Sequence, residues 1–558
     1  MAIDLPPVMP PQLATSEQVS AYSAVSAAEI SATINGTNVR VLGNLYLADA
    51  DVKSILSGAR TPAEGIINLT KRYYQSGHLL VRIRYAREGD DVVVFVEQLT
   101  LSEVRVDADM QPYFDGLVGD NDLSIAEFDR ARILANLKAE RGGYEYSMSY
   151  QETGADAVAL VMTKADTEDY NSTDYILEAN NKGSRFLGRY FGLAGVKHRF
   201  ESGTELSLAY QTAFTDLGES RDGENLDQFS VSLDHPFVSG LYGVDLSYVD
   251  YSRDPTVTTR AQSGLCLLGI LGCRTTTSVT TVNLDAEILQ VAFRGEQILF
   301  SDVESRVSLT QRLSHIDSTI EQAGSSDKLL EETYQVVDIG LKYQKVRFKT
   351  DELSAAQLNV GINFLAGFGD GGTLDNYAEY QAAFAAQNPG ISAPDVVPAA
   401  RTAEFIALQP SARYMMRISD DTLLTLSANG QFTEEQVPQQ QQFILGGMNT
   451  LSAYLPGVLI GDEGYFLSAN LEKTFTLNEV KISPAVFTEY GASWFNKTNS
   501  EFGDVQSIAN AGVRLRIEFS DYLFTELVAA LPVYDDVANS DELDALEADF
   551  FWRIRFTF

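Results

Sequence analysis

Two cysteines, Cys266 and Cys273, sit close together in Ser-Gly-Leu-Cys-Leu-Leu-Gly-Ile-Leu-Gly-Cys-Arg. In an oxidising compartment such a pair staples a small loop. A redox centre would need C-x-x-C spacing, and a metal site would need His or further Cys beside them. Neither is present, so the pair reads as a loop disulfide. The four histidines, His78, His198, His235 and His315, are scattered without ligand spacing, which leaves metal chemistry without a basis. No G-x-S-x-G nucleophile elbow occurs. Gly446-Gly447 lacks the strand-to-helix setting of a phosphate loop and reads as a turn. The run from Gly367 to Asp375 has acids and glycines that could attract Ca²⁺. It lacks EF-type spacing and reads as an acidic surface loop. No cofactor, no metal and no enzymatic activity are expected.

The informative charges are those that alternate with apolar residues. In 480–494, Val480, Ile482, Pro484, Val486, Thr488, Tyr490, Ala492 and Trp494 form a largely apolar set. The opposite set is Lys481, Ser483, Ala485, Phe487, Glu489, Gly491 and Ser493. Val513, Leu515, Ile517 and Phe519 alternate with Arg514, Arg516 and Glu518. At the end of the chain, Phe550, Trp552, Ile554, Phe556 and Phe558 alternate with Arg553, Arg555 and Thr557. A strand turns successive side chains to opposite faces. One face of each strand suits lipid and the other suits water. An Arg facing lipid near the midplane would cost about 2–4 kcal/mol, and a Glu less, so Glu489, Arg514 and Arg516 are expected to line a polar lumen. A greasy final strand is a hazard on a soluble sheet edge, yet ordinary in a closed transmembrane barrel.

Composition agrees. The chain has 558 residues, which calls for more than one domain. A net charge of −36 excludes the basic footprint of nucleic-acid binding. Apolar residues make up 45%, but no run approaches the roughly 20 that a transmembrane helix needs. Barrel strands alternate and escape that test. The start, Met-Ala-Ile-Asp-Leu-Pro-Pro, has neither the basic nor the apolar region of a signal peptide.

Four regions are expected. Residues 1–27, Pro-rich and then Ser/Ala-rich, read as a linker or a plug helix. Residues 28–103 and 104–168 read as two α+β modules. In the first, Thr61-Pro-Ala-Glu64 is a helix-opening box that places Ile66, Leu69 and Tyr73 on one face before Gly77. In the second, Ser124-Ile-Ala-Glu127 opens a helix that ends at Gly142-Gly143. Residues 169–558 lose helical period. Runs such as Tyr242–Tyr251, Val279–Phe293 and Val480–Trp494 have the length and alternation of tilted barrel strands. Short connectors alternate with long ones at about 253–278, 367–403 and 435–464. About sixteen antiparallel strands are expected, an even number.

Two α+β modules, a barrel of that size and a terminal Phe resemble the two-partner secretion transporters (TpsB, FhaC/ShlB-like), of the superfamily that includes BamA. The segment from Leu69 to Val81 resembles the helix-to-strand part of the family's first POTRA domain, with Gly77-His78 where Gly-Tyr is usual. Asn180 to Arg189 resembles the opening barrel hairpin. The segment from Phe443, through Gly446, Gly447, Leu451, Ser452, Ala453 and Tyr454, to Tyr465 resembles the sixth loop, which folds back into the barrel. The family reads Val-Arg-Gly-Tyr at its tip; here Leu451-Ser452-Ala453-Tyr454 stands, without the arginine. The family's wall motif Phe-x-Asp-x-Gly appears as Phe487, Glu489 and Gly491. A buried lone carboxylate is costly, so Arg514 and Arg516 are candidate partners for Glu489.

The resemblance implies a bacterial outer-membrane location, periplasmic modules and extracellular long loops. It implies export of an unfolded passenger protein, an environment of outer-membrane lipid, and a monomer. It also implies insertion by the barrel assembly machinery through a terminal signal at Trp552, Phe556 and Phe558. Two other readings stand beside export: an assembly factor that inserts proteins into the membrane, and a diffusion channel or surface barrel.

Overall fold

The computed structural model describes residues 2–15, 17–19, 29–183, 189–214, 225–253, 256–263, 274–281, 284–322, 328–350, 353–369, 401–496, 504–520, 522–538 and 543–558. Structural statements below concern these residues.

The first module holds strands β1 (Glu29–Ile34), β2 (Thr37–Leu42), β3 (Val81–Glu88) and β4 (Asp91–Gln98), with helices α1 (Asp49–Ser57) and α2 (Pro62–Gln75). The Thr61 side chain accepts from the Glu64 amide and Pro62 opens α2, as the sequence box implies. Ile66, Leu69 and Tyr73 are buried against the sheet, each contributing about 1.5–3 kcal/mol. The second module holds β5 (Thr100–Arg105), α3 (Ile125–Gly142), β6 (Tyr144–Glu152) and β7 (Ala157–Asp166), in sheet order β5-β7-β6. Ser124 and Glu127 form a reciprocal capping box, and Gly143 closes α3 at φ +79°. The second sheet begins at Thr100, before the boundary drawn from sequence, because β5 pairs with β7.

Residues 2–14 are a strap across both modules. Gln12 and Leu13 pair in parallel with Arg84 and Tyr85 on the edge of the first sheet. Ile3 bridges to Tyr146 on the edge of the second, and Ile3 is buried in that module's core. The Pro-rich start of the region read from sequence as a linker or plug helix is packed on both modules. Arg82, also buried, joins the modules by pairing with Glu97 and Glu152.

Sixteen antiparallel strands close the barrel. They are β8 (Thr173–Asn180), β9 (Tyr190–Arg199), β10 (Glu205–Phe214), β11 (Asn225–Phe237), β12 (Gly240–Arg253), β13 (Leu284–Ser301), β14 (Ser305–Gln322) and β15 (Lys328–Arg347). The remainder are β16 (Ala356–Phe368), β17 (Phe405–Ser419), β18 (Thr422–Thr433), β19 (Glu463–Lys473, resumed at Phe475–Leu477), β20 (Val480–Trp494), β21 (Gln506–Glu518), β22 (Leu523–Asp536) and β23 (Phe551–Thr557). β23 pairs with β8 to complete the ring. One run was misjoined from sequence: Arg274–Thr281 pairs with Thr256–Ser263 as a separate hairpin, and the barrel strand starts at Leu284. Strands β13 to β15 have 18, 18 and 20 residues, well beyond the roughly 9–11 that cross a bilayer.

The two faces separate as alternation requires. On β11, Phe229, Leu233 and Phe237 are exposed on the outside, while Asp234 turns inward to Arg294. That ion pair continues through Asp245 to Arg312. The second module seats on the short-turn end of the wall: Arg141, in the last turn of α3, pairs with Asp234, and Ser301 donates to Asp129 at 2.7 Å.

Candidate functional site

Between β18 and β19 the chain does not stay outside the barrel. Its base leans on the long strands: the Gln439 amide donates to Glu332 at 3.2 Å, and the Gln440 side chain donates to Ser318 at 2.9 Å. Asp462 ties the base together by accepting from the amides of Val437 at 3.0 Å and Asn496 at 2.9 Å. Asp462 lies between strands, and Asn496 lies past the end of β20, so this tie sits outside the spanning wall. Burial pushes the Asp462 carboxyl up to about 6, against the opposing effect of those two amides and Arg401.

From the base, Phe443–Leu445 pairs with Leu459–Gly461 as a hairpin that carries the tip inward. Gly446 (φ +112°) and Gly447 (φ +90°) make the turn. A Cβ on Gly446 would lie 2.3 Å from the Leu455 carbonyl oxygen, so the position needs glycine for space and for conformation. Leu451 adopts φ +48°, an unfavourable setting for a branched side chain, but its side chain is wholly buried.

The tip lands on the wall motif. Ser452 donates its amide to Glu489 Oε2 at 2.7 Å, and its hydroxyl lies 3.1 Å from Glu489 Oε1. That hydroxyl is also 3.2 Å from the Met448 carbonyl, and it has one proton to donate. Phe487 packs in one cluster with Leu445, Leu451 and Tyr454. Gly491 makes room for the tip, since a Cβ there would meet Leu445 at 2.6 Å and Leu451 at 3.2 Å. Ala453 and Tyr454 are buried as well.

The arginines are placed differently from expectation. Arg514 donates to the Met448 carbonyl at 3.4 Å, lies 3.5 Å from Glu526 and stacks over Phe487. Arg516 pairs with Glu472 at 3.6 Å. Neither forms an ion pair with Glu489 among the described residues. The reason is local: Glu526 and Glu472, on the inner faces of β22 and β19, compete for the same cations.

Sequence reading missed a third party to the site. Residues 543–548 cover the tip: the Ala548 amide donates to the Ala453 carbonyl, and the Leu455 amide to the Leu546 carbonyl, each at 2.8 Å. Tyr454 and Glu547 stand opposite each other in this rung. Its hydrogen bonds are made by backbone, so no residue type signals them.

The remaining candidates lie elsewhere. The Trp552 amide donates to Asn181 at 2.6 Å, and Phe558 exchanges backbone hydrogen bonds with Tyr175. Phe556 is exposed on the outer face. These contacts close the seam between the first and last strands. Cys266 and Cys273 lie outside the described residues.

Residues 277–517 match the family model described as haemolysin secretion/activation protein ShlB/FhaC/HecB. CdiB from Escherichia coli has the same fold, with a TM-score of 0.65 and 13% identity, over 96% of this chain and 92% of that one. CdiB from Acinetobacter baumannii gives 0.59 and 12%, over 95% and 90%. No curated protein sequence matches the chain.

Proposed function

We propose that this chain is an outer-membrane transporter of the two-partner secretion type and exports an extended partner protein through its barrel, a reading supported by the family match over residues 277–517. The observation that carries the reading is the in-turned segment: Ser452 seats on Glu489 inside the wall, held by hydrogen bonds and packing. Such a segment can leave the lumen without separating a buried ion pair. The modules suit capture. Residues 12 and 13 already add to one edge of the first sheet in cis, and a partner chain can add in the same way to its opposite edge, Glu29–Ile34, which ends that sheet among the described residues. In this reading the modules and both termini are periplasmic, the long connectors face outward, and one chain makes one pore in the membrane lipid. No nucleotide or redox chemistry is needed: folding of the emerging chain outside prevents its return.

Insertion of other proteins into the membrane is the second reading. It draws support from the seam, where β23 and β8 share only a short register from Arg553↔Asn180 to Thr557↔Ile176. Against it, the Asn181 side chain prolongs the seam by bonding the Trp552 amide and the Phe550 carbonyl.

The test compares the surface and outer-membrane proteins of the producing bacterium with and without this chain. Export predicts loss of one secreted protein from the surface, with barrel proteins unchanged. Loss of several barrel proteins would favour insertion, and an unchanged profile overturns both.

A further inference from the structure

We propose that the backbone edge Ala453–Leu455 is a binding site for an extended polypeptide, occupied at rest by residues 546–548. This rests on the export reading, in which the ligand is the passenger in transit. The tip divides its bonding in two. Toward the wall, the Ser452 amide and hydroxyl address Glu489. Toward the interior of the loop, the Tyr454 carbonyl takes the Gly447 amide and the Tyr454 amide goes to Leu451. What remains free of these is the Ala453 carbonyl and the Leu455 amide. They point the same way and are met by one antiparallel rung from Ala548 and Leu546.

That rung is made of main chain alone. A main-chain edge recognises any extended segment, and side-chain pockets add the selectivity. Here the pockets are uneven. Ala548 and Leu543 are buried against the cluster around Leu451 and Tyr454, whereas Glu547 is exposed. The edge therefore suits an extended chain with a small residue at the Ala548 position and a polar one beside it. A chain moving through the lumen can exchange with the resident segment bond for bond, so the tip is handed from one strand to another with no buried donor left bare.

The probe is a synthetic peptide with the sequence of residues 543–550, carrying benzoylphenylalanine at the Glu547 position. It is photolysed with the full-length chain in detergent. Ala548→Pro in the protein removes the resident N–H, and Leu543→Ala loosens the resident by packing alone, so one variant suffices if the other fails to fold. We expect cross-links on residues 448–455, several-fold stronger in either variant than in the unaltered chain. The same peptide N-methylated at the Ala548 position should lose them. Absence of cross-links at the tip, or equal labelling by the methylated peptide, overturns the proposal. Peptide binding does not depend on export, so a chain that binds the peptide but exports nothing would sink the functional reading and leave this site standing.

Discussion

The Ser452 amide is held by Glu489 at 2.7 Å, closer than the Ser452 hydroxyl at 3.1 Å. The backbone therefore makes the main contact between the in-turned segment and the wall. Removing the acceptor and removing the hydroxyl should then differ. Glu489→Ala leaves a buried amide unpaired, a cost of about 1–3 kcal/mol. Ser452→Ala keeps that amide bonded and costs about 1 kcal/mol or less. Glu489→Gln should fall between them, because its amide keeps one acceptor oxygen for the Ser452 N–H and loses the second, which faces the Ser452 hydroxyl. In planar bilayers the frequency of open events should rise in the order Ser452→Ala, Glu489→Gln, Glu489→Ala. The reverse order would place the anchorage elsewhere.

Gly446 and Gly457 both have positive φ, at +112° and +86°, but their surroundings differ. A Cβ on Gly446 meets the Leu455 carbonyl oxygen at 2.3 Å, whereas on Gly457 the nearest atom is Ile460 Cδ1 at 3.6 Å. Gly457→Ala should lower stability by about 1 kcal/mol through conformation alone. Gly446→Ala adds a backbone collision and should dislodge the hairpin, visible as faster amide exchange from Leu445 to Leu455. Equal exchange in the two variants would contradict the packing at the turn.

Asp462 makes the base of the segment pH-dependent. Burial is the main cause of its raised carboxyl, at about 6, and the groups facing it are Arg401, Glu463 and the amides of Val437 and Asn496. A folded value above the unfolded one near 3.9 means that folding favours the protonated form. The contribution is whole below about pH 4 and is lost as pH rises through about 6. Exchange protection of the Val437 amide should therefore fall between those limits, and Asp462→Asn should flatten the profile. A profile that rises over the same range would reverse the assignment.

Much of this architecture is legible from alternation and capping alone. Arg553 and Arg555 turn inward to Glu526 and Glu178, as their spacing against Ile554 and Phe556 requires. Thr61 and Ser124 open their helices where the boxes stand. Pairing is what the one-dimensional pattern hides. Val279–Thr281 reads as continuous with the strand that ends at Phe293, yet Arg274–Thr281 pairs with Thr256–Ser263. Arg514 could not be assigned to Glu526 over Glu489, since both acids share the inner face and strand register decides. The rung between Ala453 and Ala548 leaves no trace in composition, because only carbonyls and amides make it.

We propose the disulfide expected between Cys266 and Cys273, in the stretch flanked by the strand pair that ends on Ser263↔Arg274. Mass spectrometry of non-reduced peptides should show the two cysteines linked, and two free thiols would contradict it. The loop closed is short, so reduction should cost no more than the low end of the roughly 2–4 kcal/mol usual for disulfides.

Orientation has a test in which the in-turned segment behaves unlike its neighbours. If the long connectors face outward, protease added to intact cells should cut within 253–278 and 367–403, the connectors lengthened beyond the turn. The stretch 435–464 is of comparable length, but Leu445, Met448 and residues 451–455 are buried within the barrel. It should be spared in the unaltered chain and become cleavable in Glu489→Ala, where the wall contact is lost. The short turns, such as that at Ser419-Asp420-Asp421, should resist throughout, since they lie at the end that carries the modules. Cleavage at Asp420 or Asp421 on intact cells would invert the orientation. Cleavage of 435–464 in the unaltered chain would remove the segment from the lumen.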